Sequence, residues 1–300
     1  MKIDYDVVLA TYNGSRYIKE QLDSIIEQTV PPKNIYIRDD LSNDDTIKVL
    51  SHYRALPMIK FLESSTNLGY IKNFETLAKA TSSDIVFFCD QDDFWFPNKA
   101  EILLSKFNND IDLVFSDAEV TDERLCFQSY LFDLNGLNKN GFSIRSLFMN
   151  NFVTGATMAI KRSFLLKNMP FPNSIPHDFY LATSALIQNR VGYVQQPLIQ
   201  YRQHNNNVIG VRRSSFVEKM QRFKQTRKRW TDRAKVSYEL SILFQKQLDR
   251  KFTNLLQFRY ACLNKGWFIR TVYISFRLFE YLDAFDFKFF VKDLFLLRKN

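Results

Sequence analysis

The sequence predicts an α/β protein: a mostly parallel sheet flanked by helices, followed by a basic, aromatic-rich helical C-terminal region. Short β-rich apolar runs alternate with segments of helical period up to about position 200. With 300 residues, 46% hydrophobic and 24% charged, and only 8 Gly and 8 Pro, the chain can bury a large core and is neither disordered nor fibrous. The charge changes sign along the chain: up to Gly210 there are 20 Lys and Arg against 24 Asp and Glu, and after it 21 against 8. These features predict two regions, 1–210 and 211–300.

In order, the strand-like runs are 5–10, 34–38, 59–62, 85–89, 113–116, 155–160 and 191–194. Residues 15–28 place Ile18, Leu22, Ile25 and Ile26 on one helical face, and the helix over 43–54 opens with the capping run Asn43, Asp44, Asp45. Strand–helix–strand units with a right-handed crossover give a parallel sheet, whose ligands bind beyond the carboxyl ends of the strands. The polar residues that follow each strand are therefore the ones to examine.

Several classes are excluded on composition. The cysteines, Cys89, Cys126 and Cys262, are odd in number and far apart, which removes a disulfide framework and a thiolate zinc site and predicts a reducing compartment. Asp4 and Asp6 interrupt any secretory leader, and no uncharged apolar run approaches the roughly 20 residues that span a bilayer.

Three strand ends carry unusual side chains. The first run enters Thr11-Tyr12-Asn13-Gly14, a hydroxyl, an aromatic ring, an amide and a glycine ahead of a helix, a combination able to cradle a base and a phosphate. The second ends in Arg38-Asp39-Asp40, where a carboxylate can accept hydrogen bonds from a nucleobase or ribose. Either loop would equally serve as a helix cap. The fourth, Ile85 to Cys89, opens into Asp90-Gln91-Asp92-Asp93-Phe94-Trp95. Three carboxylates after an apolar strand repel one another and are costly to desolvate together, so a cation is expected among them. Oxygen ligands at such a position suit Mg²⁺ or Mn²⁺ bridging to a substrate's phosphates, and the alternative is a cap for the helix beginning near Pro97.

These segments, with Asn67-Leu68-Gly69 between them, resemble the family-two inverting glycosyltransferases of the GT-A fold, a Rossmann-like, mostly parallel sheet flanked by helices. The resemblance covers roughly residues 3–210. Asn151-Phe152-Val153-Thr154-Gly155, Pro176-His177-Asp178 and Tyr201-Arg202-Gln203-His204 are similar to the rhamnosyltransferase-like branch that builds bacterial cell-wall and capsular polysaccharides.

The resemblance implies roles residue by residue. Thr11, Tyr12 and Asp40, with Asp39 beside it, hold the nucleotide base; Asp90 lies near the ribose, and Asp92 holds a divalent metal, Mg²⁺ or Mn²⁺, on the diphosphate. Lys72 and Asn73 contact the donor or occupy an exposed helix face. Asp93, Trp95 and His177 face the sugar or acceptor. Asp178 is the base that deprotonates the acceptor hydroxyl, and it would also cap the helix over 178–189. His177 replaces the usual acid before that base and would favour its ionised form if protonated. His204 completes the metal shell, with Arg202 on the diphosphate. The motif of processive synthases is missing, so single-sugar addition is expected.

Rhamnose from a dTDP-sugar is the expected donor group, with a UDP-hexose as the alternative, and a lipid-linked saccharide is the expected acceptor. The tail's bases, densest at Arg227-Lys228-Arg229, alternate with aromatics from Phe252 to Phe295. Such a surface suits an anionic membrane, a second copy of the chain or simply its own helical core, and nucleic acid is not an expected partner. The implied location is the cytoplasm, peripheral to the inner face of the cell membrane. A nucleotidyltransferase would need a glycine-rich phosphate loop near the start, which Thr11 to Arg16 does not supply, and a non-catalytic membrane-binding protein would not need Asp90, Asp92 and Asp178 intact.

Overall fold

The structure is a computed structural model and describes residues 3–137, 142–149, 151–204 and 232–264. These divide into two compact units, Met1–Gly141 with Asn151–Val211, and Phe142–Asn150 with Arg212–Asn300. The short segment around 142–150 thus groups with the tail, a grouping that the charge pattern does not signal.

The first unit is built on one sheet. Its first half is wholly parallel: β1 (Tyr5–Thr11) lies between β2 (Asn34–Asp39) and β4 (Ile85–Cys89), and β3 (Ile59–Phe61) flanks β2. Three helices make the crossovers, α1 (Ile18–Ile26), α2 (Thr46–Ser51) and α3 (Gly69–Ala80). In α1 the 3.6-residue period buries Ile18, Leu22 and Ile25 on one face. Val7, Leu9, Ile35, Ile37 and Phe87 are fully excluded from solvent, each contributing about 1.5–3 kcal/mol by burial. Near the start of β1, the buried Asp6 carboxylate accepts from Asn34 Nδ2 and from the backbone N–H groups of Ser82 and Ser83, joining β1 to its two neighbours.

The second half is mixed. A two-residue β5 (Phe94–Trp95) and helix α4 (Lys99–Leu104) lead to β6 (Leu113–Thr121), which a β7 edge strand (Phe127–Tyr130) accompanies. After α5 (Leu131–Asn135), and α6 (Ile144–Met149) of the other unit, β8 (Met158–Lys161) runs antiparallel between β4 and β6. Helices α7 (Arg162–Lys167) and α8 (His177–Ile187) precede β9 (Val191–Arg202), parallel to β6 and antiparallel to β5. The apolar stretch 155–160 begins as a single 3-10 turn and becomes extended only at Met158.

The second unit is helical where described. Phe148 meets Phe252 edge-on at 5.6 Å, Tyr238 stacks on Tyr260 at 4.9 Å, and Ser237 Oγ donates to the Phe148 carbonyl. Those tail aromatics therefore pack within their own unit. The Arg227-Lys228-Arg229 cluster and the aromatics from Trp267 onward lie outside the described residues. No helix among the described residues is long and apolar enough to cross a membrane.

Candidate active site

The carboxyl ends of β1, β2, β4 and β9 bring the predicted polar segments to one edge of the sheet. Register places Thr11 opposite Asp39, and Thr11 Oγ1 donates to Asp39 Oδ1 at 2.9 Å. The loop after β1 is then cross-braced. Backbone N–H groups of Asn13, Gly14 and Ser15 donate to Ser42 Oγ, Thr46 Oγ1 and Asp44, and Asn13 Oδ1 accepts from Asn43 N–H. The Gln91 side chain closes the other side, bonding the Tyr12 N–H and carbonyl at 2.8 and 3.0 Å. A Cβ at position 14 would sit 2.2 Å from Gln91 Oε1, so this close approach requires glycine. Tyr12 itself is left 49% exposed, open for stacking.

Asp40 and Asn73 turn inward. Asp40 Oδ1 accepts from Arg38 and from the Leu68 N–H, and its Oδ2 from the Gly69 N–H, all at 2.8 Å, so both oxygens hold the start of α3. Asn73 bonds Arg38 through Oδ1 at 3.1 Å and through Nδ2 to the Arg38 carbonyl at 3.2 Å. Lys72 reaches Glu75 and the Phe171 carbonyl. Neither Lys72 nor Asn73 is on a plain exposed helix face: their partners lie on α3, β2 and the loop before α8.

The acidic segment after β4 separates its members by burial. Burial, with the charges of Asp92 and Asp178, lifts the Asp90 carboxyl to about 7. Asp92 Oδ2 lies 2.7 Å from His204 Nε2, bringing together the two side chains expected to ligate metal. A carboxylate with an imidazole is a donor set that suits Mn²⁺, and Mg²⁺ with more oxygen from substrate, so these residues fit a divalent ion completed by a diphosphate. No group of three or more His, Cys, Asp or Glu arranged for a metal occurs among the described residues.

Asp93 and Trp95, expected to face sugar or acceptor, are instead sealed in the interior, at 0% and 1% exposure. The reason is β5: its pairing with β9 folds this stretch under the sheet edge, where Asp93 Oδ1 accepts the Arg202 N–H and the Trp95 ring lies 3.6 Å from Lys99 Nζ. Arg202 is also buried. Its Nε donates to the Asp92 carbonyl, Nη1 to the Glu123 carbonyl and Nη2 to Glu20, so it braces the acidic loop where a diphosphate contact was expected.

Asp178 stands at the N-terminus of α8. Its Oδ2 accepts the Gly155 N–H at 3.2 Å and its Oδ1 the Phe179 N–H at 2.6 Å, and burial raises its carboxyl to about 6. The charge of Asp178 in turn helps to disfavour ionisation of Asp90. Two residues absent from the sequence-based set, Tyr70 and Tyr201, share this field: the phenol of Tyr70 is pushed up to about 12 by burial and by the charges of Asp178 and Asp90, and that of Tyr201 well above its ordinary value. The sequence signal for Tyr201 was its place directly before Arg202; Tyr70 carried none.

His177 corrects a further expectation. It is buried against Phe88 at 4.9 Å, stacked, and against Phe74 at 4.5 Å, with Phe171 and Tyr70 farther out, and neither ring nitrogen has a hydrogen-bond partner. Burial holds it down at about 3, so it is neutral near pH 7 and lends no positive charge to Asp178. An unfolded histidine binds its proton near 6.5 and this folded one near 3, so it subtracts stability progressively as pH falls from 6.5 toward 3. The raised carboxyl of Asp178 acts in the opposite direction. The His177→Phe protein is expected to melt no lower than wild type at pH 7, and its margin over wild type should widen toward pH 4. A margin independent of pH, by calorimetry, would remove the uncharged burial of His177.

Comparisons with known proteins give the family and the fold. Residues 6–167 match the model of glycosyl transferase family 2. The dTDP-rhamnosyl transferase RfbG of Shigella flexneri is 31% identical over 245 residues, which cover 74% of this chain and 80% of that protein. Among solved structures, residues 1–349 of S. aureus TarS in complex with UDP-GlcNAc align with a TM-score of 0.62 at 15% identity, over 97% of this chain and 80% of that one. The mannosyltransferase PcManGT of Pyrobaculum calidifontis, in complex with GDP-Man and Mn²⁺, aligns with a TM-score of 0.56 at 14% identity, over 99% and 86%. The fold is of the GT-A type, and the chain is a glycosyltransferase belonging to glycosyl transferase family 2.

Proposed function

We propose that this enzyme transfers a single rhamnose from dTDP-rhamnose, with inversion, to a lipid-linked or growing surface polysaccharide at the inner face of the membrane. The observation that carries the reaction is the seat of Asp178: a buried carboxylate fixed by two backbone N–H groups, its carboxyl raised by burial to about 6. The 31% identical rhamnosyl transferase supports the donor.

Asp178 takes the proton of the acceptor hydroxyl as that oxygen attacks the anomeric carbon and the bond from that carbon to the diphosphate oxygen breaks. A base whose affinity lies near the working pH is ionised yet still accepts a proton readily. Tyr12 offers an exposed ring to the base, on a loop already ordered by Gln91 and the start of α2. A divalent ion held by Asp92 and His204 would supply positive charge to the departing diphosphate.

Thermal shift with dTDP-, UDP- and GDP-sugars, each with and without Mn²⁺ or Mg²⁺, tests the donor, since a ligand bound only by the folded state raises the melting temperature. Stabilisation by dTDP-rhamnose above the others is expected. Preference for a UDP-hexose would change the donor and leave the class, and stabilisation indifferent to metal would remove the ion.

A further inference from the structure

Four side chains behind the acidic segment close on one another. Arg202 donates through Nε to the Asp92 carbonyl at 2.8 Å, and its guanidinium carbon stands 4.5 Å above the centre of the Tyr17 ring. The other face of the circuit is a second stack, Tyr17 against the His204 imidazole with ring centres 5.0 Å apart and planes 28° from parallel. His204 Nε2 then returns to Asp92 Oδ2 at 2.7 Å. Four contacts thus close a circuit, and two of them hold Asp92, one at its backbone carbonyl and one at its carboxylate. Arg202 is itself anchored at the Glu123 carbonyl and Glu20, and its own N–H at Asp93.

Tyr17 contributes its ring alone. Its hydroxyl is buried without a hydrogen-bond partner. A ring-only requirement at the first residue before α1 is not what helix capping asks for, because α1 receives no side-chain cap from Tyr17. An imidazole can rotate about its side-chain bonds, and a flat face against it selects one ring orientation. The guanidinium plane does the same for the tyrosine, a function that depends on the fork and not only on the charge.

We propose that Tyr17 and Arg202 are positioning residues that hold Asp92 and His204 in one geometry for a divalent ion. This inference rests on the metal reading given above and extends it to residues that touch neither ion nor substrate. Supporting residues of this kind typically change metal affinity about 10–100-fold when lost.

The test is calorimetry of dTDP and of UDP binding to the full chain, with saturating Mn²⁺ and without it, alongside melting temperature. Tyr17→Leu, which keeps apolar bulk and loses the flat stack, should weaken Mn²⁺-supported binding about tenfold or more. Binding without Mn²⁺ should stay at the wild-type level, a readout that a general packing defect would not spare. Tyr17→Phe, which retains the ring, should stay within about twofold of wild type. Arg202→Lys, which keeps the charge and loses the fork, should follow Tyr17→Leu and carries the test if the latter fails to fold. Wild-type Mn²⁺ dependence in folded Tyr17→Leu or Arg202→Lys protein would overturn the inference alone, as would an equal loss with and without Mn²⁺. Wild-type binding that ignores Mn²⁺ would overturn the metal reading and the inference together.

Discussion

Asp178→Asn is expected to lower kcat by about 10²- to 10⁴-fold, the range contributed by a positioned general base, while donor binding stays intact. The substitution keeps the side chain's size and an oxygen for one of the N–H groups of Gly155 and Phe179, and removes only its capacity to take a proton. The wild-type pH profile gives a second check with a definite sign. The carboxyl is raised to about 6 by burial, and its charged form is the active one, so kcat/KM should fall about tenfold per pH unit below 6 and level off above it. Turnover by Asp178→Asn at the wild-type rate, or a profile flat to pH 5, would take the base role away from this residue.

Asp40→Ala should produce the largest loss of stability. Its carboxylate is buried with Arg38 and also accepts the first N–H groups of α3, so truncation leaves a guanidinium without its counter-charge and takes an acceptor from the N–H groups of Leu68 and Gly69, the latter keeping only Asn67 Oδ1. Removing one partner of a buried pair costs about 3–5 kcal/mol. For a unit of this size that is a fall in melting temperature of roughly 10 °C. A nucleobase contact predicts the opposite pattern, with stability kept and donor affinity lost. Measuring both quantities on one protein separates the two roles.

That ambiguity shows where the sequence was informative and where it was not. The parallel half of the sheet was legible because Val7 to Ala10 and Ile85 to Cys89 are apolar throughout, as strands buried on both faces tend to be. The 178–189 helix was also foreseen, displaced by a residue or two. β5, β7 and the second half of β9 were not, since Phe94-Trp95 is too short to show a period and Gln195, Gln196 and Gln200 break the apolar run. The sequence places the acids at strand ends but cannot say which way each one faces. Asp40 and Asp39 look alike in sequence, yet one closes a buried network with Arg38 and the other braces a loop through Thr11 and Ser42. Trp95 beside three acids reads as a surface ring until β5 pairs with β9, and Arg202 reads as a free cation until its three acceptors converge on it.

The pairing of β6 with β9 has a consequence for chain length. From Leu113↔Val191 to Thr121↔Arg202 there are eight steps along β6 and eleven along β9, and the surplus is confined to the register shifts on either side of Asp117. β9 is therefore two rulers joined by slack. A residue gained or lost near Gln195 to Pro197 can be absorbed where the ladder is already irregular, leaving both ends indexed as before. The same change after Ile199 would move Arg202 to the opposite face of the sheet and carry His204 with it, because side chains alternate residue by residue. Related chains aligned by structure should vary in length at the first place and hold it constant at the second.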